Sequence, residues 1–303
     1  MQTADTCTTD NSPATPGTEK RPGRAGFWAR LMRHRLAAAG LVFVILMVAA
    51  TVLGPILSPY DPNEMNFLHI SQPPSRQFPL GTDELGRDLA TRLLYGGRIS
   101  LAVGVGAVAI STSLGLALGA LSGFLGGRVD AIIMRVAEIF LSVPTLLAMI
   151  AIAPLVGPSP TNIVLALGIF GWPGVARVTR GQVLQVRSEL FVEAATAVGG
   201  SRLRIIARHV LPNIAAPVIV AATLQVATAI LTESSLSFLG LGVQPPTPTW
   251  GNMLHAAQSI TVVVQRPWQW LAPGAAIALT VLSINFIGDG LRDALDPRWQ
   301  KRS

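Results

Sequence analysis

Long apolar stretches without a single charged residue dominate this chain. Leu36–Leu57 carries no charge, and neither does Ile99–Gly127 or Ile139–Ala176. A helix needs about 20 mostly apolar residues to cross a bilayer. The first two runs each suit one crossing, whereas the third is too long for one. Gly157-Pro158-Ser159-Pro160 divides it into two helices joined by a tight turn. His209–Thr232 and Pro267–Gly288 supply two more. The pattern predicts an all-α integral membrane protein with six transmembrane helices, an even number that returns both chain ends to one side. Leu36–Leu57 is too long for the apolar part of a cleaved leader and runs into Leu53-Gly54-Pro55, so it reads as a retained anchor.

Composition agrees with a bilayer as solvent. Half of the residues are hydrophobic and only 13% are charged, against about 25% in soluble domains. The net charge of +7 raises two possibilities, a nucleic-acid partner or basic loops on the inner side of a membrane. Distribution separates them. With the N-terminus inside, the inner segments hold 18 of the 23 Lys and Arg residues, and the outer ones hold only Arg76, Arg87, Arg92, Arg98 and Arg266. The basic residues decorate membrane-proximal ends and form no continuous stripe with interleaved aromatics, so nucleic acid is not an expected partner. Both termini are expected in the cytoplasm. Residues 1–27, rich in Thr, Pro and Gly, read as a disordered tail.

Catalytic chemistry is missing from the pattern. A Walker A loop needs Gly-x-x-x-x-Gly-Lys-Ser/Thr, but Lys20 and Lys301 are the only lysines and each is followed by arginine. No His-Glu-x-x-His or Gly-x-Ser-x-Gly spacing occurs, and Cys7 is the sole cysteine. His34, His69, His209 and His255 are scattered. The expectation is a non-enzyme without cofactor or metal. The span cores carry no charge that would mark ion coupling. Glu233, near the outer end of the fifth helix, and Arg135 and Glu138, at the inner start of the third, read as interfacial or inter-subunit polar contacts. Nothing in this pattern supplies chemistry or ion coupling of the chain's own.

The fourth-to-fifth loop is the most informative segment. Ser188 is a candidate N-cap for a short helix over Glu189–Val198, Gly199-Gly200 is a helix stop, and Ser201 can cap a second helix, Arg202–Val210, ending before Pro212. Ala194 and Ala195 on one side would let the first helix enter a groove closely. Arg202, Arg204 and Arg208 can meet acidic groups or lipid headgroups. Earlier in the chain, Gly81–Asp88 reads either as a turn and cap, with Asp83 capping and Leu85, Leu89 and Leu93 as an apolar stripe on the membrane surface, or as a contact for an external binding protein. The Pro245-Pro246 and Pro248 loop reads as outward and stiff, either a gate or binding-protein contact or a plain connector. Asp289, Arg292, Asp293 and Asp296 read as a solvated, mutually paired inner terminus.

Glu193-Ala194-Ala195, Gly199 and Leu211-Pro212 together resemble the EAA motif of bacterial ATP-binding-cassette importer permeases. His209, where the general motif favours isoleucine, is similar to the peptide-permease branch. Further segments resemble the oligopeptide/dipeptide C-type permeases: Leu31–Leu36, Phe78–Asp88, Leu236–Pro246 with Trp250-Gly251, and Gly288–Pro297. The resemblance covers about residues 28–298. It implies a type I importer permease fold, with an anchor helix and outer loop over 28–98, a permease transmembrane domain over 99–291 and a cytoplasmic tail over 292–303. It also implies a cytoplasmic coupling helix within loop 182–212, with Glu193, Ala194, Ala195, Gly199, His209, Leu211 and Pro212 as the ATPase-coupling residues. The implied partners are a homologous second permease forming a heterodimer, two ABC ATPase subunits, an extracytoplasmic solute-binding protein and membrane lipid. The implied location is the cytoplasmic membrane of a bacterium. Di- and oligopeptides are the expected cargo, with nickel, glutathione or another small solute as the alternative.

Overall fold

The structure, a computed structural model, describes residues 31–32 and 34–295, with Pro55 and Leu57 described by backbone alone. The expectations placed on residues 1–27, on Cys7 and on Asp296 to Lys301 fall outside the described residues. The helices are α1 (Arg35–Leu57), α2 (Leu89–Leu125), α3 (Gly127–Ser142), α4 (Thr145–Val156), α5 (Pro160–Arg187), α6 (Leu190–Ala197), α7 (Arg202–Ile205), α8 (Leu211–Phe238), α9 (Trp250–Met253), α10 (Ile260–Gln265) and α11 (Trp268–Leu295). Among the described residues the only β pairing is an isolated bridge between Thr82 and Asp88.

Five of the crossings are single long apolar stretches, with α7 and α8 running together as one 37-residue helix. The third crossing differs from the expectation of one straight helix. It consists of α3 and α4, bent by 86° at a short break. Pro144 causes the break: it drives the preceding residue out of the α region, and Val143 is extended at φ −105° and ψ 126°. The 12 residues of α4 reach only about 18 Å, short of the roughly 30 Å hydrocarbon core. Counting the bent pair as one crossing gives six.

Two other elements run past their expected limits. The second span begins at Leu89, well before Ile99, and takes Arg92 and Arg98 into its first turns. Its cap is Asp88, whose carboxylate accepts from Thr91 N–H at 2.8 Å. Asp83, the expected cap, instead binds Arg87 at 2.7 Å and faces buried Arg92 at 3.6 Å. Of the expected stripe only Leu85 is exposed; Leu89 is buried and Leu93 packs against Trp250, so those two belong to the interior. At the other end of the chain, α11 carries Asp289, Arg292 and Asp293 on exposed positions. Among the described residues no ion pair joins these three to one another. Asp293 is instead faced by His34 Nε2 at 4.0 Å. That contact brings the start of α1 and the end of α11 to one face of the bundle.

Lipid is as apolar as leucine, so helices in a bilayer associate through close packing and a few polar contacts. The broadest helix contact here, α2 on α5, follows that rule. Gly115, Gly119 and Gly123 recur every fourth residue on α2, and a Cβ at Gly119 would lie 2.5 Å from the Ala176 carbonyl oxygen and 2.8 Å from Thr179 Cβ. The seam has no room for a side chain. Beside it, Phe140 and Trp172 meet edge-on at 5.9 Å and tie α3 to α5. Gly119→Leu is expected to depress the folded yield and the thermal midpoint in detergent, because overpacking of this kind costs about 1–3 kcal/mol. Gly174→Leu, on the open side of α5 with nothing within 4 Å of an added Cβ, is expected to stay within about 0.5 kcal/mol of the parent. Equal melting of the two variants would refute the glycine seam.

Candidate coupling elbow

The segment between the fourth and fifth crossings folds as an elbow. Helix α5 stops at Ser188, which closes that helix and does not open the next one. Glu189 takes the N-cap position of α6. After Ala197 the chain turns at Gly199, whose φ of +82° is the left-handed conformation that glycine adopts without strain. The Gly200 N–H returns to the Ala195 carbonyl at 3.1 Å and seals the end of α6. Ser201 then holds the N-cap position of α7. The expected stop before Pro212 does not occur. Ile206–Val210 forms a π-helical turn that leads straight into α8. Proline is tolerated at the first turn of α8 because that N–H has no obligatory partner there. The Asn213 amide donates to the His209 carbonyl at 2.6 Å across the same join.

One apolar cluster fastens this elbow to the bundle. Val192 of α6 and Ile205, Ile206, Val210 and Ile214 of the α7–α8 rod are buried with Val183 of α5 and Ala120 of α2. Ala195 and Leu211 pack partly against the cluster, so Ala195 faces the chain's own body. Glu193 and Ala194 are exposed, as are Gly199 and Pro212, while His209 is half-buried. The structure thus gathers the seven motif residues into one elbow but divides them between its outer surface and its base.

The outer surface is unusual for a polar loop. Leu190, Val198 and Leu203 are 82%, 89% and 71% exposed. Apolar residues are common singly on surfaces, and here three large ones are exposed on one short elbow. Alongside runs a cleft of about 650 Å3 whose lining includes Phe124, Arg187, Glu193, Thr196 and Arg202. The elbow therefore exposes three large apolar side chains together with Arg202, Arg204 and Arg208.

A polar clamp that the sequence reading did not isolate stands at the same end of the bundle. Arg180 of α5 holds Asp130 of α3 with two bonds, Nε to Oδ1 at 2.6 Å and Nη2 to Oδ2 at 2.7 Å. Ser122 of α2 donates to the same carboxylate. Three helices are thereby pinned above the elbow by one paired, fully hydrogen-bonded charge. By contrast, Arg135 and Glu138 form an exposed pair at 3.4 Å along α3, of little energetic weight. Glu233 is not interfacial at all. It is completely buried within the chain, in contact with Ser100, Ser234 and Ser237.

Comparison with known proteins adds a family to this geometry. Residues 115–301 match the model of the binding-protein-dependent transport system inner membrane component. Residues 24–74 match the N-terminal transmembrane domain of oligopeptide transport permease C. The chain is 44% identical over 280 residues to the di/tripeptide transport system permease protein DppC of Pseudomonas aeruginosa, covering 90% of this chain and 91% of that one. It is 40% identical over 290 residues to the glutathione transport system permease protein GsiD of Pectobacterium atrosepticum, covering 95% and 93%. An inward-facing structure of the MetNI methionine ABC transporter shares the fold at a TM-score of 0.55 and 18% identity, covering 67% of this chain and 96% of that one. The six-crossing bundle with its short elbow before the fifth crossing is thus that of a type I importer permease, and the chain belongs to the family of inner membrane components of binding-protein-dependent transport systems.

Proposed function

We propose that this chain is the permease subunit of an ATP-driven importer of di- and oligopeptides, and that the α6–α7 elbow is its coupling helix. The observation that carries this reading is the exposed apolar surface of Leu190, Val198 and Leu203 on an elbow whose base is fused to α2, α5 and α8. A force applied to such a surface moves the bundle, because the elbow cannot give way independently of its core. Glu193, Ala194, Ala195, Gly199, His209, Leu211 and Pro212 are assigned to this coupling, the exposed ones as contact surface and the others as its seat.

In this reading the elbow and both chain ends lie in the cytoplasm. The charge bias supports that side, and the meeting of His34 with Asp293 is consistent with two ends on one face. Two ATPase subunits bind the elbows of this chain and of a homologous second permease. Their closure on ATP rocks the pair between inward- and outward-facing arrangements as rigid bodies. An extracytoplasmic binding protein delivers the solute. The segments 28–98, 99–291 and 292–303 act as anchor and outer loop, transmembrane domain and tail. The dipeptide-named relatives favour peptides as cargo, and the glutathione-named relative supports glutathione as a second reading.

Three measurements test these assignments. Val198→Glu with Leu203→Glu is expected to weaken co-purification of the ATPase subunits by about 30-fold or more, since losing an interface anchor costs about 2 kcal/mol; undiminished binding would remove the coupling role. Gly199→Leu forces a side chain into a left-handed backbone at a cost of about 1–2 kcal/mol. It is expected to reduce uptake while membrane insertion survives, and wild-type uptake would contradict the elbow's role. For cargo, proteoliposomes of the whole complex are expected to accumulate labelled dipeptide in preference to glutathione, and the reverse order would exchange the two readings.

A further inference from the structure

A single buried carboxyl organises the opposite end of the α7–α8 rod. Glu233 is 0% exposed. Each of its oxygens receives a hydroxyl: Ser237 Oγ donates to Oε1 at 2.8 Å, and Ser100 Oγ of α2 donates to Oε2 at 3.2 Å. Both hydroxyls are already engaged as acceptors. The Val243 N–H donates to Ser237 Oγ at 3.1 Å, and the Trp250 N–H donates to Ser100 Oγ at 3.2 Å. A hydroxyl can accept from one group while it donates to another, so each serine links a backbone amide to the carboxyl. Ser234, and Thr249 from the loop itself, lie against the same group.

Val243 and Trp250 stand near the two ends of the segment that follows α8, and both are buried. Between them the chain is pinned further. Asn252 donates to the Val243 and Thr247 carbonyls at 3.1 and 2.7 Å, and Thr249 and Asn252 cap α9 reciprocally. Gln244, Pro245 and Pro246 alone project into the open. The segment 239–253 is therefore seated on α2 and α8 as part of their rigid body and is not a free flap.

We propose that Glu233 is a positioning residue for transport: it locks the 239–253 segment to the far end of the rod whose first turn is the elbow, so that both ends move as one piece. The rod is 37 residues long, about 55 Å at 1.5 Å per residue. A displacement of the elbow is then passed toward the Gln244–Pro246 knob along one continuous helix, through the π-helical turn at Ile206–Val210 and past Pro217. The role in transport rests on the coupling assignment above; the lock itself does not.

Residue-resolved amide hydrogen exchange on the full-length chain tests the lock. Glu233→Met keeps the length of the side chain but offers no strong acceptor, and it is expected to accelerate exchange at both Val243 and Trp250 by about tenfold or more. Ser237→Ala is expected to accelerate Val243 alone, and Ser100→Ala to accelerate Trp250 alone. The serine variants carry the test if Glu233→Met does not fold. Unchanged exchange in them, or loosening of both amides by either, would overturn the relay. In the assembled transporter, Glu233→Met is expected to lower solute uptake at least fivefold while ATP hydrolysis by the partner subunits continues. Full uptake with loosened amides would overturn the positioning role and leave the lock. Failure of the ATPases to bind the elbow would overturn the coupling assignment and leave the exchange result intact.

Discussion

Close approach of α2 and α5 is the constraint on which the rest of this structure depends. In a bilayer no hydrophobic gain drives one helix onto another, and every backbone polar group must already be satisfied inside its own helix. What remains is contact, and contact is greatest where side chains are smallest. Gly115, Gly119 and Gly123 let the α2 backbone touch Val175, Ala176, Thr179 and Val183 of α5 directly. The remaining crossings gather around this pair. Helix α8 packs on α2 and α5, α11 packs on α8, and α1 rests against α11 and α2. The arrangement resembles a two-helix spine with later helices laid around it.

The spine explains why the elbow can be small. An eight-residue helix such as α6 has little intrinsic stability in water, and it keeps its shape only because its buried side chains continue the packing of the spine. Val192 and Ala195 extend the same cluster that holds Ala120 and Val183. The Asp130–Arg180–Ser122 clamp sits where α2, α3 and α5 meet at this end and holds a partly exposed ion pair in a fixed geometry. A bidentate pair at a partly exposed site adds little net stability but favours one relative placement of its partners. Such stiffness suits an element that has to pass force on and not absorb it.

The division between what was legible in the sequence and what was not follows from the dimensionality of each signal. Spans are visible because hydropathy is a one-dimensional property, and the charge-free runs marked five crossings and the α4 half of the bent one, while α3, with Arg128, Asp130, Arg135 and Glu138, lay mostly outside them. Gly199 was legible as a stop because a helix end favours a residue free to adopt positive φ. The break at Val143-Pro144 was hidden because it lies inside a run that is apolar on both sides, although Pro144 was a sufficient signal on backbone grounds. Asp83 and Asp88 both satisfy the local pattern of a cap, and only the tertiary placement of Arg87 and Arg92 claims the first for ion pairing. Ser188 lost its expected role for a related reason, since α5 continues to Arg187 and leaves the serine to close it. The Asp130–Arg180 clamp joins residues fifty positions apart, and nothing local pairs them.

Glu233 shows most clearly how the two levels meet. Near the end of a span a carboxyl reads as a surface group, because a charge in the hydrocarbon core is expensive. Here the cost is offset by hydroxyls from Ser234 and Ser237 of the same helix, from Ser100 of α2 and from Thr249 of the following segment. Two of those serines also accept from backbone amides, those of Val243 and Trp250, so the carboxyl is the hub of a network and not an isolated acid. A partly satisfied network would be worse than an apolar core, whereas a complete one specifies a single arrangement. Sequence alone lists an acid and several hydroxyls near a span end; their value arises only when α2, α8 and the segment before α9 converge on one point. The packing of glycines at one end of the bundle and the wiring of hydroxyls at the other are thus two solutions to the same difficulty, that of making a membrane-embedded bundle behave as one solid.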